Sequence, residues 1–169
     1  NRALLAMEDK LRRLLGEGVD LQIKVKPEGA WIYVDPGNIE LAILNLAANA
    51  KEAMPAGGSL NIETDRVYLH ADREPRYSMV KPGRYVVCEV RDTGTGMDRE
   101  VLKHIFEPFF STKEPGKGTG LGLSIVYGFM KQNEGYVFAQ SEPGRGSAFR
   151  LYFPELTAAA GEPGAEEAE

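Results

Sequence analysis

Cysteine, histidine and long apolar runs are all scarce in this sequence. A single cysteine, Cys88, stands among 169 residues, so an internal disulfide is excluded. Cys88 follows the apolar run 85–87, which predicts a buried, unreactive thiol, and a lone cysteine fits a reducing, cytoplasmic compartment. No apolar run approaches the ~20 residues that cross a bilayer, so we expect this segment to make no direct membrane contact.

Positive charge is not in excess either. The net charge of −5 arises in residues 155–169, which hold five glutamates and no lysine or arginine, so residues 1–154 are formally neutral. A neutral body without a basic stripe argues against nucleic acid as a partner. Residues 155–169 are rich in Ala, Gly, Pro and Glu, a composition that predicts a disordered acidic linker. Residues 1–154 are then predicted to form one domain, with residues 1–16 as its leading helix.

The order of predicted elements indicates a mixed fold. Apolar spacing and end signals predict helices at residues 3–15, 35–54 and 121–133, with a short one from Asp98. Apolar β-type runs predict strands at residues 21–26, 31–34, 59–67, 84–92, 136–140 and 148–153, with a turn at 27–29 and a loop at 68–83. This order predicts an α+β two-layer sandwich, with a mixed, mostly antiparallel sheet of about five strands and about three helices on one face.

Two asparagines stand on one face of the predicted helix 35–54. Asn45 and Asn49 are four residues apart, and Glu52 lies one turn beyond Asn49. Carboxamide oxygens are suitable hard ligands for Mg²⁺, which prefers a few protein oxygens together with phosphates and waters. The alternative is that both are polar positions on a buried helix, bonded to neighbouring loops. Taken alone, the pattern does not decide between the two.

A short acidic and glycine-containing segment follows the predicted strand 84–92. Asp92 is followed by Gly94, Gly96 and Met97, so a carboxylate at a strand end could accept a hydrogen bond while the backbone lets a flat ligand approach. Any tight strand-to-helix turn can have this pattern, and by itself a turn is the better interpretation.

Two further segments differ in composition from the predicted helices and strands around them. Residues 106–113 form an aromatic cluster that a proline interrupts, and residues 116–122 alternate glycine with other residues before an apolar helix. Alternating glycines expose backbone N–H groups, and a helix N-terminus favours anions. The P-loop pattern is absent, because Lys117 is followed by Gly118 rather than Ser or Thr. The alternative for residues 106–113 is a hydrophobic staple for a loop, with Lys113 merely solvated, and the alternative for residues 116–122 is a flexible linker.

Together, and in this order, the four segments resemble the N, G1, F and G2 boxes of the histidine-kinase catalytic domain, in the ATPase superfamily that also includes DNA gyrase. The resemblance covers residues 35–153. Residues 50–55 resemble the version common in nitrogen-sensor-like and hybrid kinases, which often carry a receiver domain downstream. The resemblance implies ATP and Mg²⁺ as cofactors.

The resemblance also implies a role for each motif residue. Asp92 would accept the adenine amino group, Gly94 and Gly96 would let the backbone pass beneath the ring, and Asn45 and Asn49 would hold Mg²⁺. Residues 106–113 and the glycines after them would form a mobile ATP lid. The resemblance assigns further nucleotide contacts to Lys51, Met97, Ile105, Phe110, Lys113, Lys117, Gly118, Thr119, Gly120, Leu121, Gly122 and Ser147. Lys113 or Lys117 would reach the terminal phosphates, and the Ser147 hydroxyl would support Asp92 through water.

One position departs from the family pattern. Many members carry a phosphate-contacting lysine three residues after the second asparagine, where this chain has Glu52. The neighbouring base is Lys51, which we expect to substitute from an adjacent angle.

The implied function is to present Mg-ATP to a histidine on a separate dimerisation domain, with a response regulator or receiver domain acting downstream. Neither His70 nor His104 has the sequence context of a phosphoaccepting histidine, so we expect this chain alone not to autophosphorylate. The alternatives are a gyrase- or chaperone-type clamp and a nucleotide-binding regulatory module. A clamp needs a glutamate as general base at the position that Asn45 holds, and an amide cannot take that proton. The parent protein could still be a membrane-bound sensor, with this domain in the cytoplasm.

Overall fold

The computed structural model describes residues 1–26, 29–70 and 79–156. Its sheet and helices are formed by segments that alternate along the chain. In chain order they are α1 (Arg2–Ala6), α2 (Glu8–Leu15), β1 (Val19–Lys24), α3 (Pro36–Ala53), β2 (Gly58–Leu69), β3 (Gly83–Asp92), α4 (Arg99–Leu102), α5 (Gly122–Gln132), β4 (Tyr136–Ser141) and β5 (Ser147–Pro154).

The five strands form one mixed sheet in the order β1-β2-β3-β5-β4. β1 runs parallel to β2, and the other three pairings are antiparallel. Alternate residues of each strand face the helices, so that Ile62, Val90 and Leu151 are buried in one core with Leu46 of α3 and Met130 of α5. The two-layer α+β prediction is therefore confirmed.

The helix α3 begins where its sequence signals predict. The Asp35 side chain accepts a hydrogen bond of 2.7 Å from the backbone N–H of Gly37, and Pro36 occupies the first turn. Its buried stripe consists of Ala42, Ile43, Leu46, Ala47 and Ala50. Asn45 and Asn49 lie outside this stripe and are half-buried.

The predicted strand at residues 31–34 is wrong. These residues do alternate, since Trp31 and Tyr33 are exposed while Ile32 and Val34 pack on the core. Trp31 accepts one hydrogen bond, of 2.8 Å, from the backbone N–H of Leu156, but residues 31–34 join no strand ladder. Alternation reports which side chains are buried, whereas a strand also needs a neighbouring backbone to pair with.

The two ends of the predicted domain also differ in detail. The leading helix is two helices, because the backbone at Met7 departs from helical geometry and places that side chain in the core. At the other end, Glu155, one residue beyond the predicted boundary at 154, pairs with Arg66 at 2.8 Å. Residues 27–28 of the predicted turn, 71–78 of the predicted loop and 157–169 of the predicted linker lie outside the described residues.

We predict that the leading helices contribute to the stability of the domain. Leu11 is 0% exposed, so Leu11→Ala should lower the free energy of unfolding by about 2–5 kcal/mol through lost burial and the cavity left behind. Leu5→Ala is the matched control, because Leu5 is 50% exposed and its truncation should cost less than about 1 kcal/mol. Urea denaturation of both variants measures the difference. Equal costs would show that α1 and α2 are only loosely attached.

Candidate functional site

A cavity of about 460 Å³ opens between α3, the segment that follows β3, and residues 105–123. Its size is in the range of small-molecule and cofactor sites. The structure brings most of the predicted site residues into its lining. They are Asn45, Asn49, Asp92, Gly96, Met97, Ile105, Phe110, Lys113, Gly118, Thr119, Gly120, Gly122 and Ser147.

Asp92, the last residue of β3, is only 6% exposed. Its Oδ1 accepts hydrogen bonds from the backbone N–H groups of Gly94, at 2.8 Å, and Ser147, at 3.3 Å. Burial raises the pKa of Asp92, and these two hydrogen bonds partly oppose that rise. Since both bonds fall on Oδ1, the Oδ2 atom remains as an acceptor for a ligand in the cavity.

Ser141, which no sequence motif indicates, connects the segment after β3 to the β4–β5 turn. Its Oγ accepts a hydrogen bond of 2.8 Å from the N–H of Met97 and donates one of 3.0 Å to the carbonyl of Gly146. Ser147 Oγ lies 2.9 Å away and, because Ser141 has a single proton, must donate to Ser141. A serine at the end of a strand is too common to have indicated this role.

The glycines near Asp92 allow two backbone segments to interlock. A Cβ at Gly96 would lie 1.9 Å from the carbonyl oxygen of Glu142, and one at Gly146 would lie 2.1 Å from that of Asp92. Both glycines also have φ near +70°, at 67° and 77°. The sequence motif explains Gly96 by the approach of a ligand. The structure adds a second reason, which is the close approach of the β4–β5 turn.

Asn45 and Asn49 of α3 both line the cavity. Asn45 Nδ2 donates to the carbonyl of Leu41 at 3.0 Å, which uses one of its two amide hydrogens. Its Oδ1 faces the start of α5, where a Cβ at Gly122 would lie 3.1 Å from that oxygen. A glycine at this position therefore lets the N-terminus of α5, which favours anions, lie beside an amide oxygen.

Residues 110–119 form a loop with closed ends. The N–H of Phe109 donates to the carbonyl of Gly120 at 3.0 Å, and both residues have positive φ, of 65° and 66°. A Cβ at Gly120 would lie 2.6 Å from the Phe109 carbonyl carbon. This loop is part of the segment, residues 106–113 and the glycines after them, that the resemblance identifies as the lid, and below we use lid for the loop 110–119.

Some of the predicted site residues do not line the cavity, namely Lys51, Gly94, Lys117 and Leu121. Lys51 is two residues after Asn49, and side chains two residues apart on a helix point in nearly opposite directions. Lys51 therefore faces away from the cavity, and its Nζ donates to the carbonyl of Leu14 at 2.7 Å. Lys117 pairs with Glu114 at 2.7 Å, and Gly94 packs against Ala53. In their place Glu52 lines the cavity and pairs with Lys113.

Within residues 1–26, 29–70 and 79–156, no group of three or more His, Cys, Asp or Glu side chains is placed to bind a metal ion. A cation at this site would therefore depend on amide oxygens and on the ligand. Within the same ranges, no helix combines the length and the apolar character needed to traverse a bilayer.

Cys88 is buried as predicted, and burial raises the pKa of its thiol to about 12.

Comparison with known proteins finds one family and many similar folds. The family model described as "Histidine kinase-, DNA gyrase B-, and HSP90-like ATPase" matches residues 34–157. The chain is 44% identical over 146 residues to the sensor kinase CckA of Brucella abortus (strain 2308), a match that covers 86% of this chain and 15% of that protein.

Solved structures give the same result for the fold. The mycobacterial sensor histidine kinase MprB matches with a TM-score of 0.71 and 21% identity, over 91% of this chain and 93% of that one. Full-length ShkA in complex with AMPPNP matches with a TM-score of 0.67 and 26% identity, over 94% of this chain and 30% of that one.

We predict that Gly96 is required for the stability of the site. Gly96→Ala combines a left-handed backbone, which costs about 1–2 kcal/mol for an L-residue, with a collision that should cost about 1–3 kcal/mol more. Gly144→Ala is the matched control, because Gly144 has a φ of 76° but a Cβ there would meet no atom within 4 Å. Chemical denaturation of the two variants should separate the two costs, and equal losses would exclude the interlock.

Proposed function

This chain belongs to the histidine kinase-, DNA gyrase B- and HSP90-like ATPase family, and we propose that it holds Mg-ATP while a histidine on a separate dimerisation domain takes the γ-phosphate. It corresponds to the catalytic, ATP-binding domain of sensor histidine kinases. Since it spans 15% of the CckA sequence, the activity of the whole protein is part of the proposal.

The observation that carries the proposal is the buried carboxylate of Asp92. An adenine amino group would donate to Oδ2, while Gly94 and Ser147 hold Oδ1 in place. Guanine would present a carbonyl oxygen there, and two acceptors facing each other in a desolvated site repel. Met97 and Ile105 would provide the apolar contacts of the ring.

The phosphate end of the cavity fits a triphosphate with its metal ion. Asn45 and Asn49 would hold Mg²⁺ through their amide oxygens, and the ion would supply charge neutralisation. The glycines at 118, 120 and 122 and the start of α5 would bind phosphate oxygens, and Lys113 would reach the terminal phosphate. In the transfer, the bond from the γ-phosphorus to the bridging oxygen breaks, a bond to the histidine nitrogen forms, and ADP leaves.

A kinase fits the site better than a hydrolytic clamp. Asn45 occupies the position where a clamp requires a general base, and an amide cannot accept the proton of an attacking water. Glu52 has its carboxylate in an ion pair with Lys113. Neither histidine lines the cavity. His104 hydrogen-bonds to Glu107 at 2.7 Å, and the ring of His70 packs against that of Tyr68. We therefore propose that the acceptor histidine lies on another domain.

The remaining partners follow from this role. We infer that a response regulator or receiver domain takes the phosphoryl group from the acceptor histidine. Because ATP supplies the phosphoryl group, the domain would work in the cytoplasm, whether or not the parent protein is anchored in a membrane. We expect no contact with nucleic acid, since residues 1–154 carry no net charge.

We predict that Asp92→Asn abolishes adenine recognition without unfolding the domain. Asparagine keeps an acceptor oxygen for Gly94 and Ser147 but replaces the second acceptor with a donor NH₂ group. Affinity for a non-hydrolysable ATP analogue with Mg²⁺ should fall at least about 100-fold, which corresponds to an unpaired buried polar contact. Calorimetric titration measures this, and a GTP analogue that fails to bind the parent chain is the specificity control. Unchanged ATP affinity in the variant would overturn the proposed role of Asp92.

The raised pKa of Asp92 predicts a pH dependence of binding. Only the ionised carboxylate keeps Oδ2 free of a proton, so affinity is complete above this pKa. Below it, binding must release one proton, and affinity should fall about tenfold for each pH unit. Titrations between about pH 4 and pH 8 should show this slope at a pH above the ordinary aspartate value of ~3.9. Asp92→Asn is the control, and the same slope in that variant would assign the titration to another group.

A further inference from the structure

An ion pair crosses the cavity between α3 and the lid. Lys113 Nζ, in the middle of the loop 110–119, contacts Glu52 Oε2 on the last turn of α3. The aliphatic part of Lys113 lies over Gly118, where a Cβ would be 3.1 Å from Lys113 Cδ. The pair therefore connects two parts of the lid to the helix that carries both asparagines.

We propose that Glu52 is a positioning residue that holds Lys113 over the phosphate end of the cavity and releases it to the terminal phosphate when nucleotide binds. This inference rests on the proposed function. Glu52 acts only through Lys113, and the lysine changes partner from a carboxylate of the protein to a phosphate of the ligand.

The charges in the cavity support this exchange. Among the described residues that line the cavity, Lys113 is the one cation, and Glu52 and Asp92 are the two anions. The other two lysines that the sequence predicts at the site have different partners: Lys51 donates to a carbonyl of α2, and Lys117 pairs with Glu114. A triphosphate entering this end of the cavity would compete with Glu52 for the same ammonium group and would be repelled by the carboxylate.

The exposure of the pair makes it breakable. The side chains of Lys113 and Glu52 are 37% and 52% exposed, so water screens their attraction. A pair of this kind is strong enough to bias the position of a loop but too weak to exclude a ligand with several charges. Because Phe109 and Gly120 already close the ends of the loop, one contact in its middle can order it.

The experiment compares four variants of the full 169-residue chain. They are Glu52→Gln, Lys113→Gln, the charge swap E52K/K113E, and Glu100→Gln. The last is the matched control, because Glu100 of α4 pairs at 2.7 Å with Lys103, the residue that follows this helix, and neither residue lines the cavity. Two quantities are measured for each variant: amide hydrogen exchange of residues 110–119 without nucleotide, and the Kd for a non-hydrolysable ATP analogue with Mg²⁺.

Opposite effects on binding distinguish the two residues. Glu52→Gln should speed lid exchange without nucleotide by about two- to fivefold and lower the Kd by a similar factor, as expected for loss of an exposed pair. Lys113→Gln should speed the exchange equally but raise the Kd. The charge swap should restore slow exchange, because it forms the same pair with the charges reversed. The opposite changes in Kd of the two single variants are what a merely structural role of Glu52 would not produce. Glu100→Gln should change neither quantity.

Two results would overturn the inference, and a third would overturn the proposed function as well. Unchanged lid exchange in Glu52→Gln would show that the pair does not order the lid. Weaker nucleotide binding in that variant would show that Glu52 favours the bound state and does not compete with the phosphate for Lys113. If the parent chain binds no nucleotide, the proposed function fails and the partner exchange fails with it, whereas normal binding by the parent with either of the first two results removes the inference alone.

Discussion

The close contact between the segment after β3 and the β4–β5 turn is the constraint on which the site depends. The carbonyl of Thr95 accepts a hydrogen bond of 2.6 Å from Gly144, and the N–H of Thr95 donates to Ala53 at 2.9 Å. This segment is therefore held between the end of α3 on one side and the turn on the other. Gly96 and Gly146 permit the approach because any Cβ there would overlap a backbone carbonyl.

This contact also determines the chemistry of Asp92. The approach of the turn brings the N–H of Ser147 to Oδ1 and withdraws the carboxylate from water. Burial raises the pKa of Asp92 above that of the unfolded chain, so the unfolded state ionises first. Its contribution to the free energy of unfolding therefore decreases as pH rises from the unfolded pKa to the folded one. At neutral pH the buried carboxylate therefore lowers the free energy of unfolding, and the same burial makes Asp92 a desolvated acceptor at the cavity.

The helix α3 links the core to the cavity. Its buried stripe packs with α5 and the sheet, while Asn45, Asn49 and Glu52 lie on the cavity side. Gly122 brings the N-terminus of α5 against Asn45, so two helices that meet in the core also meet at the site. The loop 110–119 is the third component, and its ends are held by the backbone contact between Phe109 and Gly120. A packed floor with a loop attached at both ends suits the proposed role of enclosing a charged ligand.

The sequence by itself determined the fold class, the family and most residues of the cavity, because these depend on local patterns. Asp35 and Pro36 begin α3 by capping that any context would allow, and Asn45, Asn49 and Asp92 lie in motifs whose order is specific. Only the tertiary structure decided the contacts between segments that are far apart in the chain, because a local pattern holds no information about its distant neighbours. Residues 31–34 alternate like a strand but have no ladder partner, and Ser141 acts through residues brought near by the turn. Lys51 faces away from the cavity while Glu52 meets Lys113, because the rotation of a helix and the path of a loop depend on packing between segments far apart in the chain.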